Sequence, residues 1–187
     1  MAVFDLLKTF IFLLSSILLY PVLILLALAA LYVFWAAGRV LGEWIARSRA
    51  GRFDPFRDDP ASFAFPDAVR RYRDELLAVT ERDEAATACR MRQAVAERQR
   101  TLDAFRLLIR LAPALGLLGT LIPMGTALAG VGQGNFQVVS GELVVAFTTT
   151  VVGLAAGSAA FLFYLVKRRW VAEDVRMIEF VTEKLAR

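Results

Sequence analysis

Histidine is absent from the 187-residue chain, and cysteine occurs once, as Cys89. Without histidine, the side chain that titrates nearest neutral pH and most often ligates metals is missing. One cysteine builds neither a disulfide framework nor a Cys-rich zinc site. No nucleophile–base pair, metal-ligand cluster or phosphate-binding loop can be assembled from what remains. Gly116 and Gly119 are glycines in an apolar run, a place for helix packing and not for a nucleotide. The expectation is no enzymatic activity, no metal and no cofactor.

Charge is also missing, but only locally. Charged residues make up 21% of the chain, while 58% is hydrophobic and the mean hydropathy is +0.55. The charge must therefore be segregated. No Asp, Glu, Lys or Arg occurs from Thr9 to Gly38, from Leu111 to Gly141, or from Leu143 to Val166. A spanning helix needs about 20 apolar residues to cross about 30 Å of hydrocarbon. Each stretch suffices, so the fold class expected is an all-α membrane protein with three transmembrane helices. A signal h-region runs only about 7–15 residues. Thr9–Ala37 is about twice as long and is read as a retained first helix.

The basic residues give the topology. Arg39, Arg47, Arg49, Arg52 and Arg57 follow the first span; Arg98, Arg100, Arg106 and Arg110 precede the second; Lys167, Arg168 and Arg169 follow the third. Between Leu111 and Val166 there is no Lys or Arg. The positive-inside rule makes 39–110 and 167–187 cytoplasmic, with the N-terminus and the turn Val131–Val138 outside. Topology thus accounts for the net charge of +4, and no nucleic-acid partner is expected. Mixed charge over 70–106 reads as a solvated helical face.

Three regions follow: 1–38, the first span; 39–102, a cytoplasmic elbow and helix; and 103–187, two spans (about 108–131 and 139–167) with a helical tail. Pro55, Pro60 and Pro66 mark the elbow at 51–66. From Asp67 to Arg110 there is neither Pro nor Gly, and good helix formers dominate. This predicts one helix that starts after Pro66 and runs unbroken into the second span. Val171, Val175, Ile178 and Val181 keep helical spacing, so the third span is expected to extend as a long cytoplasmic helix.

The second span carries Pro113, Gly116, Thr120, Pro123, Ala127 and Gly130 on one face. The third carries Ala146, Thr150, Gly153, Gly157 and Ala160, with Thr149 and Ala156 beside them. Small residues let helices approach closely in lipid, which accounts for the glycines and alanines. It does not account for Thr120 beside Pro123, which cannot donate to the carbonyl of Gly119. Irregular polar backbone at this depth is tolerated where it is buried or lines a hydrated cavity. Packing and an ion path both remain open on these grounds.

The run Leu111-Ala112-Pro113-Ala114-Leu115-Gly116-Leu117-Leu118-Gly119-Thr120 resembles the A-P-x-x-G-L-x-G-T motif of the MotA/TolQ/ExbB proton-channel family. Thr150-Val151-Val152-Gly153-Leu154 resembles the T-A-x-G-L motif of its last helix. The resemblance is specific over about 103–170 and rests on layout alone before residue 100. It implies a ring-forming subunit, a homopentamer in ExbB-like members, in a prokaryotic plasma (inner) membrane. Its partner would be a single-span protein resembling ExbD, TolR or MotB. Ion flow, with H⁺ as the coupling ion, would then drive mechanical work. By position the resemblance makes Thr120 and Thr150 path-lining residues that face the partner's Asp, with Thr149 adjoining, and makes Pro113 the family proline.

The sequence also departs from the pattern. ExbB and TolQ carry a Glu five residues before the last-helix threonine, where this chain has Val145. Glu142 lies one turn outward, as a substitute carrier or as a helix cap. Ala159 replaces a family proline, and Leu121-Ile122-Pro123-Met124 replaces the Trp-Gly run. Two other classes compete with the stator, a small secondary transporter and a non-conducting membrane scaffold. A carrier working alone needs an ionisable residue at mid-membrane, and the spans have none there.

Overall fold

The computed structural model describes residues 2–49, 65–78 and 84–185. All five described elements are α-helices: α1 (Ala2–Arg49), α2 (Asp67–Ala78), α3 (Glu84–Arg100), α4 (Asp103–Gly132) and α5 (Phe136–Leu185). Among the described residues three stretches of helix, Thr9–Arg49 within α1, Glu84–Gly132 ending with α4, and Phe136–Lys184 within α5, are long and apolar enough to cross a membrane. At 1.5 Å per residue, α1 and α5 each run to about 70–75 Å, more than twice the hydrocarbon thickness. Both therefore continue well past their apolar stretches. The proline-rich elbow expected at 51–66 falls, up to residue 64, outside the described residues.

The chain divides into two compact units, Met1–Trp35 with Arg106–Phe161, and Ala36–Phe105 with Leu162–Arg187. The first contains most of the apolar spans. Among the described residues, Val22, Leu26 and Ala29 are the buried positions of α1 in this unit, at steps of four and three. The rest of its apolar surface is open, with Phe4, Leu6 and Phe34 among the most exposed side chains. Surface of this kind needs lipid or protein against it.

The second unit has a core like that of a water-soluble helical domain. Phe65, Val69, Tyr72 and Leu76 recur at steps of four, three and four, and pack on Ile178 and Val181 of α5. Met91, Ala94 and Val95 of α3 close over the same cluster. Full burial of a side chain such as Ile178 or Val69 contributes roughly 1.5–3 kcal/mol. The Tyr72 hydroxyl meets the Thr182 hydroxyl at 2.6 Å. Burial pushes the Tyr72 phenol up in pKa, with the Thr182 hydrogen bond opposing it.

This core corrects the expectation of one unbroken helix from Asp67 into the second span. In a straight helix Tyr72 and Met91 would stand about 28 Å apart, yet they share one cluster. So α2 and α3 are separate helices that pack on each other, and burial of their apolar stripes outweighs continuity of the backbone. A second break lies at Thr101–Leu102. There Thr101 N–H and Leu102 N–H donate to the carbonyls of Arg98 and Gln99, three residues back, at 3.3 and 3.0 Å. The Thr101 hydroxyl also donates to the Arg98 carbonyl at 2.7 Å. Tight i−3 bonding and a competing hydroxyl end the α-helical turn. α4 then starts at Asp103, an acidic residue in its first turn, where the helix dipole favours negative charge. The helix start after Pro66 is as expected: Arg70 N–H donates to the Pro66 carbonyl at 2.9 Å.

The same unit holds a cluster of five charges. Asp174 of α5 is fully buried. One Arg47 nitrogen donates to both of its oxygens at 2.8 Å, and Arg98 of α3 donates to it as well. Glu43 of α1 accepts from Lys167 at 2.5 Å and from Arg47 at 3.2 Å, and Arg98 stands 3.7 Å away. The Arg47 guanidinium also lies 5.2 Å from the centre of the Trp170 ring.

Candidate ion pathway

The motif residues lie on α4 and α5, within the first unit. A tight turn joins the two helices. Gly134 takes a left-handed conformation, φ 69°, which glycine adopts without steric cost. Its N–H donates to the Val131 carbonyl at 3.0 Å, and Asn135 N–H donates to Gly130 at 3.0 Å. These two bonds form a Schellman cap on α4. The Asn135 side chain then accepts from Val138 N–H at 3.3 Å, as an N-cap does. One short segment, Gln133–Asn135, thus satisfies both helix ends.

Beneath the turn the helices meet along glycines. A Cβ on Gly153 would lie 2.7 Å from the Ala112 carbonyl oxygen and 2.8 Å from the Gly116 Cα. On Gly116 it would lie 3.1 Å from the Thr149 carbonyl oxygen and 3.2 Å from the Gly153 Cα. On Gly119 it would lie 2.7 Å from both Cβ and Oγ1 of Thr149, and on Gly157 2.7 Å from Cγ of Pro113. Ala112, Gly116, Gly119, Pro123 and Ala127 are buried on α4, and Ala146, Thr149, Gly153, Ala156, Gly157 and Ala160 on α5. Backbone packs on backbone here, because a side chain on either helix would hold the other away.

The threonines divide by position. Thr149 is buried against Gly119, whereas Thr120 and Thr150 sit half-buried at the margins of the seam. Spacing from Ala146 does not separate Thr149 from Thr150 in a sequence, since steps of three and four are both helical. The glycine opposite decides which of them turns inward. Every hydroxyl donates within its own helix. Thr120 bonds the Leu117 carbonyl at 2.7 Å, Thr150 the Ala146 carbonyl at 3.2 Å, and Thr149 the Val145 and Ala146 carbonyls at 2.9 Å each. The Thr120 hydroxyl therefore does not serve the Gly119 carbonyl that Pro123 leaves without its helical donor. Thr148, which the motif reading passes over, is exposed and donates to Val144 at 2.7 Å.

Pro113 and Pro123 both lie inside α4. Each removes one helical hydrogen bond. Pro113 rests against Gly157, so the small residue on α5 accommodates the ring. Glu142 is half-buried in the second turn of α5, away from the Gly116–Gly153 crossing.

No curated protein matches the chain. A family model, described as the MotA/TolQ/ExbB proton channel family, matches residues 64–179. The match takes in both threonine motifs, the glycine seam, and also α2, α3 and much of the α5 extension, where the motif resemblance is silent. With three helices fit to cross a membrane and the two motif helices locked together at their glycines, this integral membrane protein belongs to the MotA/TolQ/ExbB proton channel family.

Proposed function

We propose that the protein is the ring-forming subunit of a proton-motive stator, working with a single-span partner that brings a carboxylate into the membrane. One observation carries this reading. From Leu111 to Val166 the chain has one charged residue, Glu142. In a family of proton channels, a subunit without a titratable group at mid-span needs the proton carrier from another chain. An Asp on a partner helix of the ExbD, TolR or MotB kind would supply it. The half-buried Thr120 and Thr150 hydroxyls, at the margins of the seam, would face that Asp. Each donates its own hydrogen to the helix and keeps lone pairs to accept from a protonated carboxyl.

Homo-oligomerisation, most simply a pentamer, would cover the apolar faces of α1, α4 and α5 that remain exposed in one copy. The positive-inside rule puts Lys167–Arg169 and the charged regions in the cytoplasm of a prokaryotic cell, with the Gly132–Asn135 turn outside. The load on the motor would be mechanical, and no chemical transformation is involved.

The test is proton-dependent activity of the complex with its copurifying single-span partner. Thr120→Val and Thr150→Val keep shape and delete one hydroxyl each. The expected result is loss of ion-driven work while the ring still forms by native mass spectrometry. Normal work in both variants would sink the assignment of the path. Severe loss only in Glu142→Gln would move the carrier into this subunit.

A further inference from the structure

The five-charge cluster lies outside the candidate pathway, and its arrangement is informative. On α1 the buried or half-buried positions Ala36, Val40, Glu43 and Arg47 step by four, three and four. On α5 Lys167, Val171, Asp174 and Ile178 step the same way, and all four are buried. The two faces meet through Glu43 with Lys167 and Arg47 with Asp174. Arg98 of α3 reaches both carboxylates.

Apolar packing by itself does not select this face of α1. Leu41, Trp44 and Ile45, on other sides of the same stretch, are large and exposed. Gly38 and Gly42 have open space where a Cβ would stand, so no glycine notch keys α1 to a neighbour there. A helix that is apolar on several sides can rotate or slide by a turn and still bury similar surface. Charges at fixed positions cannot, because each displaced pair leaves an ion without its partner.

We infer that Glu43, Arg47, Arg98, Lys167 and Asp174 act as a register clasp, which sets the rotation and axial position of α1 against α5 and α3. Buried ion pairs are weak contributors to stability, and replacement of a whole set by apolar residues is often neutral. Their best-attested use is to choose one register among several. The cluster fits that use better than it fits maximal stability. It has three cations for two carboxylates, and the buried Nε atoms of Arg47 and Arg98 have no hydrogen-bond partner. Burial of such donors without a partner is costly.

The experiment is cysteine cross-linking in native membranes, on the full-length chain with Cys89→Ser. One cysteine is fixed at Tyr164, which lies three residues before Lys167 as Val40 lies three before Glu43, so the two positions are level. The other is scanned through Ala36, Ala37, Val40, Leu41 and Trp44, with copper phenanthroline as oxidant. With the cluster intact, one helical face should dominate the yield. The comparison chain carries Glu43→Met, Arg47→Met, Arg98→Met, Lys167→Met and Asp174→Val together. It should still insert and resist extraction, while the ratio of the strongest pair to pairs on other faces falls severalfold. Asp174→Glu, which keeps the charge, should keep the single dominant face. An unchanged pattern in the apolar variant would overturn the inference, since packing would then hold the register. Failure to recover that variant in membranes would overturn it too, since the cluster would then be needed for stability itself.

Discussion

The two units of this chain solve the same problem, bringing helices together, by opposite means. In the spanning unit α4 and α5 meet where side chains are absent, with Gly116 and Gly153 backbone to backbone. In the other unit the helices meet through what their side chains carry, an apolar core around Ile178 and Val181 and the ion pairs around Asp174. The solvent explains the difference. In lipid, burying a leucine against another helix gains little, because the tails are equally apolar, and close approach supplies the attraction. Next to water, burying Val69 or Ile178 is favourable in itself. Charges there are solvated until folding pairs them.

That contrast can be broken first at Asp174. Asp174→Asn removes the fully buried carboxylate and leaves Arg47 and Arg98 facing each other. Breaking a buried pair from one side costs about 3–5 kcal/mol, and thermal unfolding in mild detergent should show the largest drop of the set. A change no larger than that of an exposed pair would mean that water already screens the cluster.

Next comes the seam. Gly153→Ala places a methyl 2.7 Å from the Ala112 carbonyl oxygen, and backbone on both sides cannot step aside. Overpacking of this kind costs roughly 1–3 kcal/mol. Gly125→Ala, with open space around its Cβ position, is the matched control and should leave melting unchanged or slightly raised. Equal effects at the two positions would show that the glycines serve something other than close approach.

Smaller effects sharpen the comparison. Tyr72→Phe removes the 2.6 Å contact with Thr182 and keeps the ring in the core. The expected loss is about 0.5–1.5 kcal/mol, read from denaturant or thermal unfolding. Thr149→Val should cost least, about 0.6 kcal/mol or below. The hydroxyl there bonds only carbonyls of its own helix, while the shape against Gly119 is kept. A large loss at Thr149 would mean that its hydroxyl, and not its bulk, holds the seam.

Three spans, the short turn between the second and third, and a long third helix are legible in the sequence, because a run without charge long enough to cross a bilayer has few other uses. The spacing of small residues likewise singles out Gly116, Gly153 and Gly157, which the structure brings to the α4–α5 contact. Helix continuity is not legible in the same way. The absence of Pro and Gly from 67–110 permits a helix everywhere and says nothing of where it must turn back. Tyr72 and Met91 reach one core only through separate helices, and the Thr101 hydroxyl helps end α3.

By itself, then, the sequence determined what must lie in lipid, which helices can approach closely, and that no ionisable group sits at mid-span between Leu111 and Val166. Those properties depend on composition and on a period of three or four residues, both local. Only the tertiary structure decided that Thr149 and not Thr150 faces Gly119, and that Glu43, Arg47, Arg98, Lys167 and Asp174 form one cluster. Neighbouring positions on a helix are equivalent until a partner is present. Charges more than a hundred residues apart in sequence, such as Arg47 and Asp174, have no partner until the fold supplies one.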